Sequence, residues 1–252
     1  MNYKKIYKLF TINFWKRHLP KIKSKKGKFE CNLCGNRTNS FLNDGWHENI
    51  ICPYCYSDVR HRLEFAIFKF IDKYKIDDIF RNKNILHFAA EKPLVKILKK
   101  HSKSYICTDI KTGTDITNMP QFDNGTFDVV IANDVLEHIN NLNSGIQEIF
   151  RVLKDGGYFV CTVPQRDNLE KTEENQNINT PELREKYYGQ HDHLRIFGND
   201  FKETLEDSNF IVDVIDKNYF PCEIAEKYIL FPQELSTKYN VTNYRKIYIC
   251  KK

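Results

Sequence analysis

The sequence predicts an α/β fold built on an open parallel sheet, and three stretches carry this prediction. They are YICTDI (105–110), FDVVIANDVLEHI (127–139) and GGYFVCTVP (156–164). The first two are apolar runs that end in polar residues, the second then changes to a helical pattern, and the third is a strand that begins with glycines. Ligands of open parallel sheets bind beyond the carboxyl ends of the strands. The polar residues at these ends are therefore candidates for contacting a nucleotide.

The other elements follow along the chain from hydrophobic periodicity. Residues 60–74 carry apolar side chains at three- and four-residue spacing, which predicts an amphipathic helix packed against the sheet. The first strand is predicted over 84–90, and Pro93 opens the next helix, a position that proline favours. Further helices are predicted over 142–154 and 199–208, further strands over 210–216 and 244–251, and a polar loop or lid over 167–180.

The length and composition suit one medium-sized domain with a small appendage. The chain has 252 residues, of which 41% are hydrophobic and 29% are charged, so it can bury a sizeable core. No window approaches about 18 consecutive apolar residues, which argues against a membrane-spanning helix. The N-terminus has no apolar segment followed by a small-residue cleavage site, so a cytoplasmic location is expected.

The net charge of +6 is unevenly distributed along the chain. Residues 1–28 contain ten Lys/Arg and no Asp/Glu, whereas the other residues contain 29 Lys/Arg and 33 Asp/Glu and so are net −4. This balance argues against a body that clamps a long polyanion. Residues 3–17 mix aromatic and apolar residues with the basic ones. They indicate a basic amphipathic helix that contacts a membrane surface or RNA, and the alternative is a docking helix or a partly ordered tail with a solvated charged face.

Four cysteines have the spacing of a tetrahedral zinc site. Two CxxC pairs are separated by seventeen residues, and their cysteines are Cys31, Cys34, Cys52 and Cys55. Each CxxC turn presents two sulfurs toward one point, and Gly35 fits the tight turn after the first pair. A disulfide framework is disfavoured in a cytoplasmic chain. The sequence therefore predicts a structural zinc ribbon over 29–58, between a basic tail (1–28) and the main domain (59–252).

The order of these segments resembles the class I S-adenosylmethionine (SAM)-dependent methyltransferases, and the resemblance covers roughly residues 80–252. It implies a seven-stranded Rossmann-like sheet whose final strand runs antiparallel, with SAM as the cofactor. Asp109 would hold the ribose, because a carboxylate can accept hydrogen bonds from both hydroxyls. Asp115 and Ile116 would flank the adenine, and Asn133 would lie beside the methionine half. The neighbouring cofactor candidates are Ile110, Asp134 and His138.

The first loop of the sheet departs from the usual pattern, in which an acidic residue is followed by alternating glycines. Residues 87–93 read HFAAEKP, so Ala89 stands where the first glycine is expected and Glu91 stands near the second. The chain resembles a glycine-poor subgroup with a zinc-ribbon front, a loop LHxAxE and a later GQHDHLRIFG element. This resemblance implies that His87, Ala89 and Glu91 line the cofactor. The Glu91 carboxylate is expected to meet the cofactor's amino group, with a surface or substrate-facing role as the alternative.

Residues 187–198, YYGQHDHLRIFG, contain the densest cluster of functional side chains. The catalytic candidates among them are Tyr188, His191, Asp192 and Arg195. His191 with the adjacent Asp192 is a candidate general base, and Arg195 is a candidate for holding an anionic group. The alternative is a hydrogen-bonded loop that orders the lid without catalysis. A metal ion on His191, Asp192 and His193 is disfavoured, because consecutive side chains diverge.

The leading hypothesis is a SAM-dependent methyltransferase that acts on a small or carbohydrate-like acceptor in the making of a cell-surface glycan. Transfer is an in-line displacement that depends mainly on positioning, and a hydroxyl acceptor also needs a proton acceptor. One alternative is an RNA methyltransferase that uses the ribbon and the basic tail to bind phosphates. The other is a non-catalytic zinc-ribbon scaffold, which the missing glycines favour. The sequence makes no prediction of the oligomeric state.

Overall fold

The computed structural model describes residues 24–43, 48–232 and 246–252 of the chain. Most of the basic tail predicted over 1–28 therefore lies outside the described residues. At the front, strands β1 (Phe29–Glu30) and β2 (Arg37–Thr38) form a short antiparallel pair beside the CxxC turns. Within the described ranges, no helix is both long and apolar enough to cross a membrane.

A six-stranded mixed sheet forms the centre of the main domain. Its strands are β3 (Asn84–Phe88), β4 (Ser104–Thr108), β5 (Phe127–Asn133), β6 (Leu153–Thr162), β7 (Ile211–Ile215) and β8 (Ile247–Lys251). Their spatial order is β4-β3-β5-β6-β8-β7. Strands β3 to β6 pair in parallel, whereas β8 is antiparallel to both of its neighbours. The antiparallel final strand implied by the resemblance is therefore confirmed.

The described residues supply six strands to this sheet, whereas the resemblance implied seven. Between β4 and β5 along the chain, residues 113–126 form only an isolated bridge. Gly113 begins this stretch in the left-handed conformation, with φ of 92°. The Arg151 guanidinium then donates hydrogen bonds to the backbone carbonyls of Met119 and Phe122, 2.9 and 2.8 Å away. These bonds hold the stretch as a loop, and β4 becomes an edge strand.

Helices pack on both sides of the sheet. In the described residues they are α1 (Val59–Phe70), α2 (Ile76–Phe80), α3 (Lys92–His101), α4 (Leu142–Val152), α5 (Pro181–Tyr188), α6 (Phe201–Glu206) and α7 (Cys222–Tyr228). Helices α1, α4 and α6 confirm the predictions from periodicity, with ends that differ by a few residues. Helix α1 stops at Phe70 and a short 3-10 turn completes the predicted segment. Helices α2, α5 and α7 were not among the predicted elements.

The core is divided by the sheet into two apolar clusters. Leu86 and Phe88 of β3 lie in one cluster with Ile146 of α4, whereas Ile85 of β3 lies in the other with Leu63 of α1. This alternation follows the two-residue period of a strand, whose successive side chains point to opposite faces. Helix α1 is thereby fixed on one face of the sheet, close to the carboxyl ends of the central strands.

Candidate functional site

Three of the parallel strands end side by side, and the residues that follow them form the candidate site. Phe88 at the end of β3 pairs with Thr108 at the end of β4 and with Ala132 near the end of β5. The next residues in the chain are Ala89, Asp109 and, after Asn133, Asp134. The sheet therefore brings the predicted strand-end residues to one edge.

Two turns at this edge have strained backbones. Ala89 and Asp134 both adopt left-handed conformations, with φ of 46° and 50°, which side-chain-bearing residues rarely adopt. The Ala89 amide donates to the Thr108 carbonyl (2.8 Å), and the Asp134 amide donates to the Thr162 carbonyl (3.0 Å). The first loop thus follows a glycine-like path although alanine stands in the glycine position. Strain of this kind is typical of functional sites.

Glu91 is held by two histidines at the start of α3. His87 Nε2 lies 2.9 Å from one carboxylate oxygen of Glu91, and His61 Nε2 lies 3.3 Å from the other. Burial raises the pKa of Glu91, but the hydrogen bond from His87 and the closely facing His61 imidazole outweigh it and hold this pKa well below its usual range. The fully buried His87 also contacts the Tyr105 hydroxyl through Nδ1 at 2.6 Å. Glu91 is therefore a fixed carboxylate, and its side chain is only 13% exposed.

Helix α1 supplies residues to this edge, and its N-terminal cap orients them. Asp58 accepts a hydrogen bond from the Arg60 amide, and the Asp58 amide donates to His61 Nδ1. Because Nδ1 accepts, the proton of a neutral His61 is on Nε2, which faces Glu91. Arg60 lies 3.2 Å from the Asp134 carboxylate and 3.6 Å from the Glu91 carboxylate. The helix cap thus places one cation and one N–H donor at the strand ends.

Sequence reasoning missed Glu64 of α1, which is buried beside Asn133. The Asn133 amide donates to one carboxylate oxygen of Glu64 at 2.7 Å. Burial, together with the nearby negative charge of Glu91, raises the pKa of Glu64 to about 8. The signal was present in the sequence, because Glu64 lies one helical turn before the apolar residues Ile67 and Phe68 and so falls on the buried face.

Three acceptor atoms at this edge are buried without a hydrogen-bond partner. They are one carboxylate oxygen of Glu64, the side-chain oxygen of Asn133, and the Glu91 oxygen whose contacts with His61 (3.3 Å) and Arg60 (3.6 Å) lack hydrogen-bond geometry. Buried oxygens left in this way cost about 1–3 kcal/mol each. A ligand that brings several N–H donors to the strand ends would satisfy them.

Asp109 stands at the other side of the same edge. One of its carboxylate oxygens accepts from the Thr112 amide (2.8 Å) and caps the 3-10 turn Ile110–Thr112. Ile110 is 69% exposed. The loop returns so that the Thr114 amide donates to the Asp109 carbonyl, which places the exposed Asp115 nearby. Of the two residues predicted to flank the adenine, Ile116 is packed into the core and Asp115 is exposed.

Two of the predicted catalytic side chains have structural roles, which corrects their assignment. Arg195 is 1% exposed, and its five N–H groups go to the Glu174 carboxylate and to the carbonyls of Leu136, Ile139 and Asn140. No donor of Arg195 is left for an anionic group. Tyr188 is also buried, and its hydroxyl accepts a hydrogen bond from the Asn175 amide.

The predicted pairing of His191 with Asp192 is not formed. Both residues are exposed, and the Asp192 carboxylate lies 3.5 Å from Nδ1 of His138 instead. His138 approaches Asp192 from the turn that follows β5. The structure thus places Asp192 and His138 together.

The four cysteines of the CxxC turns converge as predicted. All four sulfur atoms lie within 4.8 Å of one another. The Sγ atoms of Cys31 and Cys55 are 3.6 Å apart, and those of Cys34 and Cys52 are 3.8 Å apart. A tetrahedral zinc ion with Zn–S bonds of about 2.3 Å requires sulfurs about 3.8 Å apart.

The two CxxC turns also repeat the same backbone geometry. The amide four residues after the first cysteine of each pair, Gly35 or Tyr56, donates to the carbonyl of that cysteine at 2.8 or 2.9 Å. Both residues are left-handed, with φ of 71° and 58°. The donor set and the paired turns therefore fit a structural zinc ion.

Arg62 connects this cysteine module to the main domain. It is fully buried, and its guanidinium donates to the carbonyls of Ile50 and Ser57 in the module and to those of Tyr228 and Ile229 at the end of α7. The three basic residues at the start of the helix predicted over 60–74 therefore have two different roles. Arg60 and His61 face the strand ends, whereas Arg62 braces the module.

Comparison with known proteins agrees with this architecture. Residues 79–161 match a family model described as a methyltransferase domain. A demethylmenaquinone methyltransferase of Leptospira interrogans is 29% identical over 167 residues, which is 60% of this chain and 60% of the relative. An uncharacterized protein of Methanocaldococcus jannaschii is 38% identical over 71 residues, 28% of this chain and 31% of that protein. The chain thus spans about 60% of the length of the first relative.

A solved structure has the same fold over nearly the whole chain. The crystal structure of the [4+2]-cyclase SpnF superposes with a TM-score of 0.51 and 15% identity, covering 98% of this chain and 94% of that one. At this identity the likeness concerns the fold alone. The function must be argued from the residues at the strand ends.

Proposed function

We propose that the chain, whose residues 79–161 match a methyltransferase-domain family model, is a class I SAM-dependent methyltransferase that binds SAM at the carboxyl ends of β3, β4 and β5. We further propose that it transfers the methyl group of SAM to a small acceptor. A relative named for a small acceptor, demethylmenaquinone, supports the size class. A carbohydrate-like acceptor is the finer hypothesis, and it rests on the sequence resemblance.

The observation that carries this proposal is the set of unsatisfied acceptors at the strand ends. The oxygens of Glu64, Glu91 and Asn133 have no hydrogen-bond partner there. The amino group of SAM is an ammonium with three N–H donors, which suits these three oxygens once its positive charge has ionised Glu64. Arg60, which contacts Glu91 and Asp134, is the nearby cation for the carboxylate of the same amino acid. These residues would hold the methionine half.

The adenosine half is assigned to the residues after β4. The Asp109 carboxylate would accept the ribose hydroxyls, as an acidic residue does in related nucleotide sites. The exposed side chain of Ile110 would pack on the base, with Asp115 at its polar edge. SAM supplies a methyl group already activated by its sulfonium. The chain's residues therefore need to bind, orient and exclude water, which accounts for much of the rate enhancement of positioned reactions.

The cysteine module is proposed to hold one structural zinc ion. Its ligands would be Cys31, Cys34, Cys52 and Cys55, whose sulfurs have the required separations. Four protein ligands leave no open position, so this ion would stabilise the fold and take no part in methyl transfer.

Calorimetric titration with SAM tests the proposal. Asp109→Asn keeps the cap of the 3-10 turn, because asparagine caps as well as aspartate, but removes a carboxylate from the proposed ribose site. We expect SAM affinity to fall by about tenfold or more, since a hydrogen bond to a charged group is worth about 1.5–3 kcal/mol.

Asp216→Asn is the matched control. Asp216 follows β7 and caps the 3-10 turn Lys217–Tyr219 through the Asn218 amide, but it lies at the opposite margin of the sheet. The Asp216→Asn variant should bind SAM with the same affinity as the unmodified chain. If the folded, zinc-loaded chain binds no SAM, the scaffold alternative replaces the methyltransferase. Equal affinities for both variants would refute the ribose assignment.

A further inference from the structure

A second cluster of ionisable side chains lies beyond the end of β5. The Glu137 carboxylate is fully buried, and neither of its oxygens has a hydrogen-bond partner in the described residues. One of these oxygens lies 3.8 Å from Nε2 of His138 and 3.8 Å from Nε2 of His193. The cluster thus joins the turn after β5 to the loop after α5. His193 is also buried, and its Nε2 has no hydrogen-bond partner.

The other nitrogen of each histidine fixes its protonation. His193 Nδ1 lies 3.0 Å from the Tyr188 carbonyl, and His138 Nδ1 lies 3.3 Å from the Asp192 carbonyl. A carbonyl oxygen can only accept, so each Nδ1 carries a proton. In the neutral ring, Nε2 then presents its lone pair. Two lone pairs and a carboxylate therefore converge with no donor between them.

The separations suit a shared cation better than direct hydrogen bonds. At 3.8 Å the Glu137 oxygen is beyond hydrogen-bond distance from either Nε2. Ligand atoms that each lie about 2.1 Å from one metal ion are about 3–4 Å apart. The ligand atoms of Glu137, His138 and His193 all lie within 4.8 Å of one another.

From this arrangement we propose that Glu137, His138 and His193 bind a divalent transition-metal ion. Two imidazoles and one carboxylate form a ligand set that suits zinc and its neighbours. The backbone carbonyls on the two Nδ1 atoms are the outer partners that metal-binding histidines usually have. The His138 side chain is 35% exposed, so an ion could reach the site from solvent on the His138 side.

The backbone around the site is fixed before any ion binds. The Leu194 amide donates to the Glu137 carbonyl at 2.9 Å. Arg195 ties the turn to the same loop through the Leu136 and Ile139 carbonyls. The two segments that carry the ligands are therefore clamped together. The structural role of Arg195 is to support this site.

Cobalt(II) binding to the full-length chain tests the proposal. Co²⁺ at the cysteine module gives an intense thiolate-to-metal charge-transfer band, whereas Co²⁺ at a histidine and carboxylate site gives only weak visible absorption. Equilibrium dialysis counts the ions, and the spectrum shows how many lack thiolate ligands. We expect the unmodified chain to bind one ion without thiolate character in addition to the ion at the cysteines.

Glu137→Gln and His138→Gln should each lose that ion while keeping the thiolate band. Loss of an outer partner of a metal ligand costs roughly 10–100-fold in metal affinity. The affinity of each variant for the thiolate-free ion should fall by more than this. His101→Gln is the matched control, because His101 also contacts a carboxylate, that of Asp77 at 3.1 Å, but lies outside the cluster. His138 is half-exposed, so its variant should fold even if Glu137→Gln does not, and circular dichroism checks this. Absence of a thiolate-free ion in the unmodified chain, or its retention in a folded His138→Gln, would overturn the proposal.

Discussion

At the residue scale, the strand-end edge combines backbone strain with buried, unsatisfied oxygens. Ala89 adopts a left-handed φ of 46° at the position where the family resemblance predicts glycine. Glu64 is buried and lacks a partner for one oxygen. Each feature lowers the stability of the ligand-free chain, and each is explained if the edge is built to receive a ligand.

The strain at Ala89 predicts that a glycine there stabilises the fold. Ala89→Gly removes a Cβ from a left-handed residue, and we expect a gain of about 0.5–1 kcal/mol in the free energy of unfolding. The neighbouring Ala90→Gly is the matched control. Ala90 does not have a positive φ, so glycine there only adds unfolded-state entropy and should lower stability by a similar amount. Urea denaturation measures both, and a loss of stability in Ala89→Gly would contradict the strained turn.

The raised pKa of Glu64 predicts a pH-dependent stability. Burial and the Glu91 charge raise this pKa from its ordinary value of 4.5 to about 8. Between these values the folded chain binds more protons than the unfolded chain, so the Glu64 contribution to stability falls as pH rises. The Arg60 cation and the Asn133 amide face the same carboxyl and act in the opposite direction.

Glu64→Gln removes that titration. Its free energy of unfolding should rise relative to the unmodified chain by roughly 3–5 kcal/mol between pH 4.5 and 8, measured without SAM. The same substitution at the exposed Glu185 of α5, Glu185→Gln, is the matched control. A constant difference for Glu64→Gln would show that Glu64 is not a buried acid.

At the element scale, apolar runs predicted the strands of the sheet well, whereas three of the described helices were not predicted. The six strands of the sheet are those that the sequence indicates, and the seventh came from the resemblance alone. Helix α5 was missed although it has an N-cap threonine, Pro181 in its first turn and Gly189 at its end. Its weak apolar stripe explains the omission, because only Tyr188 of this helix is buried.

The loop after α5 contains a glycine that packing requires. A Cβ on Gly198 would lie 2.5 Å from the carbonyl carbon of Lys171 and 2.7 Å from its oxygen. Backbone atoms cannot give way as a flexible side chain can, so Gly198→Ala should cost at least about 1–3 kcal/mol.

Gly189→Ala is the comparison for this substitution. Nothing lies within 4 Å of a Cβ at Gly189, but its φ is 89°, so alanine there measures the conformational cost alone, about 1 kcal/mol. Chemical denaturation of the two variants should therefore place Gly198→Ala as the more destabilised. The reverse order would contradict the close contact between residues 198 and 171.

At the scale of the whole molecule, the cysteine module and the strand-end edge are mechanically connected. Cys55 is followed within three residues by Asp58, the cap of α1, and α1 carries Arg60, His61 and Glu64 to the edge. Arg62 of the same helix ties the module to the end of α7. The sequence could place the cysteines and the strand ends separately. It could not place Glu64 at the site, because the path of α1 depends on this long-range packing.

This connection predicts that loss of the module's metal weakens SAM binding at a distance. Cys34→Ser removes one of the four sulfurs, and we expect a lower melting temperature together with a several-fold loss of SAM affinity in calorimetry. Cys107→Ser is the control, because Cys107 is exposed on β4 and lies outside the cysteine cluster. It should change neither quantity. A Cys34→Ser chain that melts earlier but binds SAM normally would show that the module and the edge are independent.

The most direct measurement is a crystal structure of the chain with S-adenosylhomocysteine, the product of methyl transfer. The ribose hydroxyls should lie about 2.6–3.2 Å from the Asp109 carboxylate. The amino group should lie against the oxygens of Glu64, Glu91 and Asn133 that now lack partners. A ligand bound away from the ends of β3, β4 and β5, or an edge that stays closed by α1 at saturating ligand, would contradict the account.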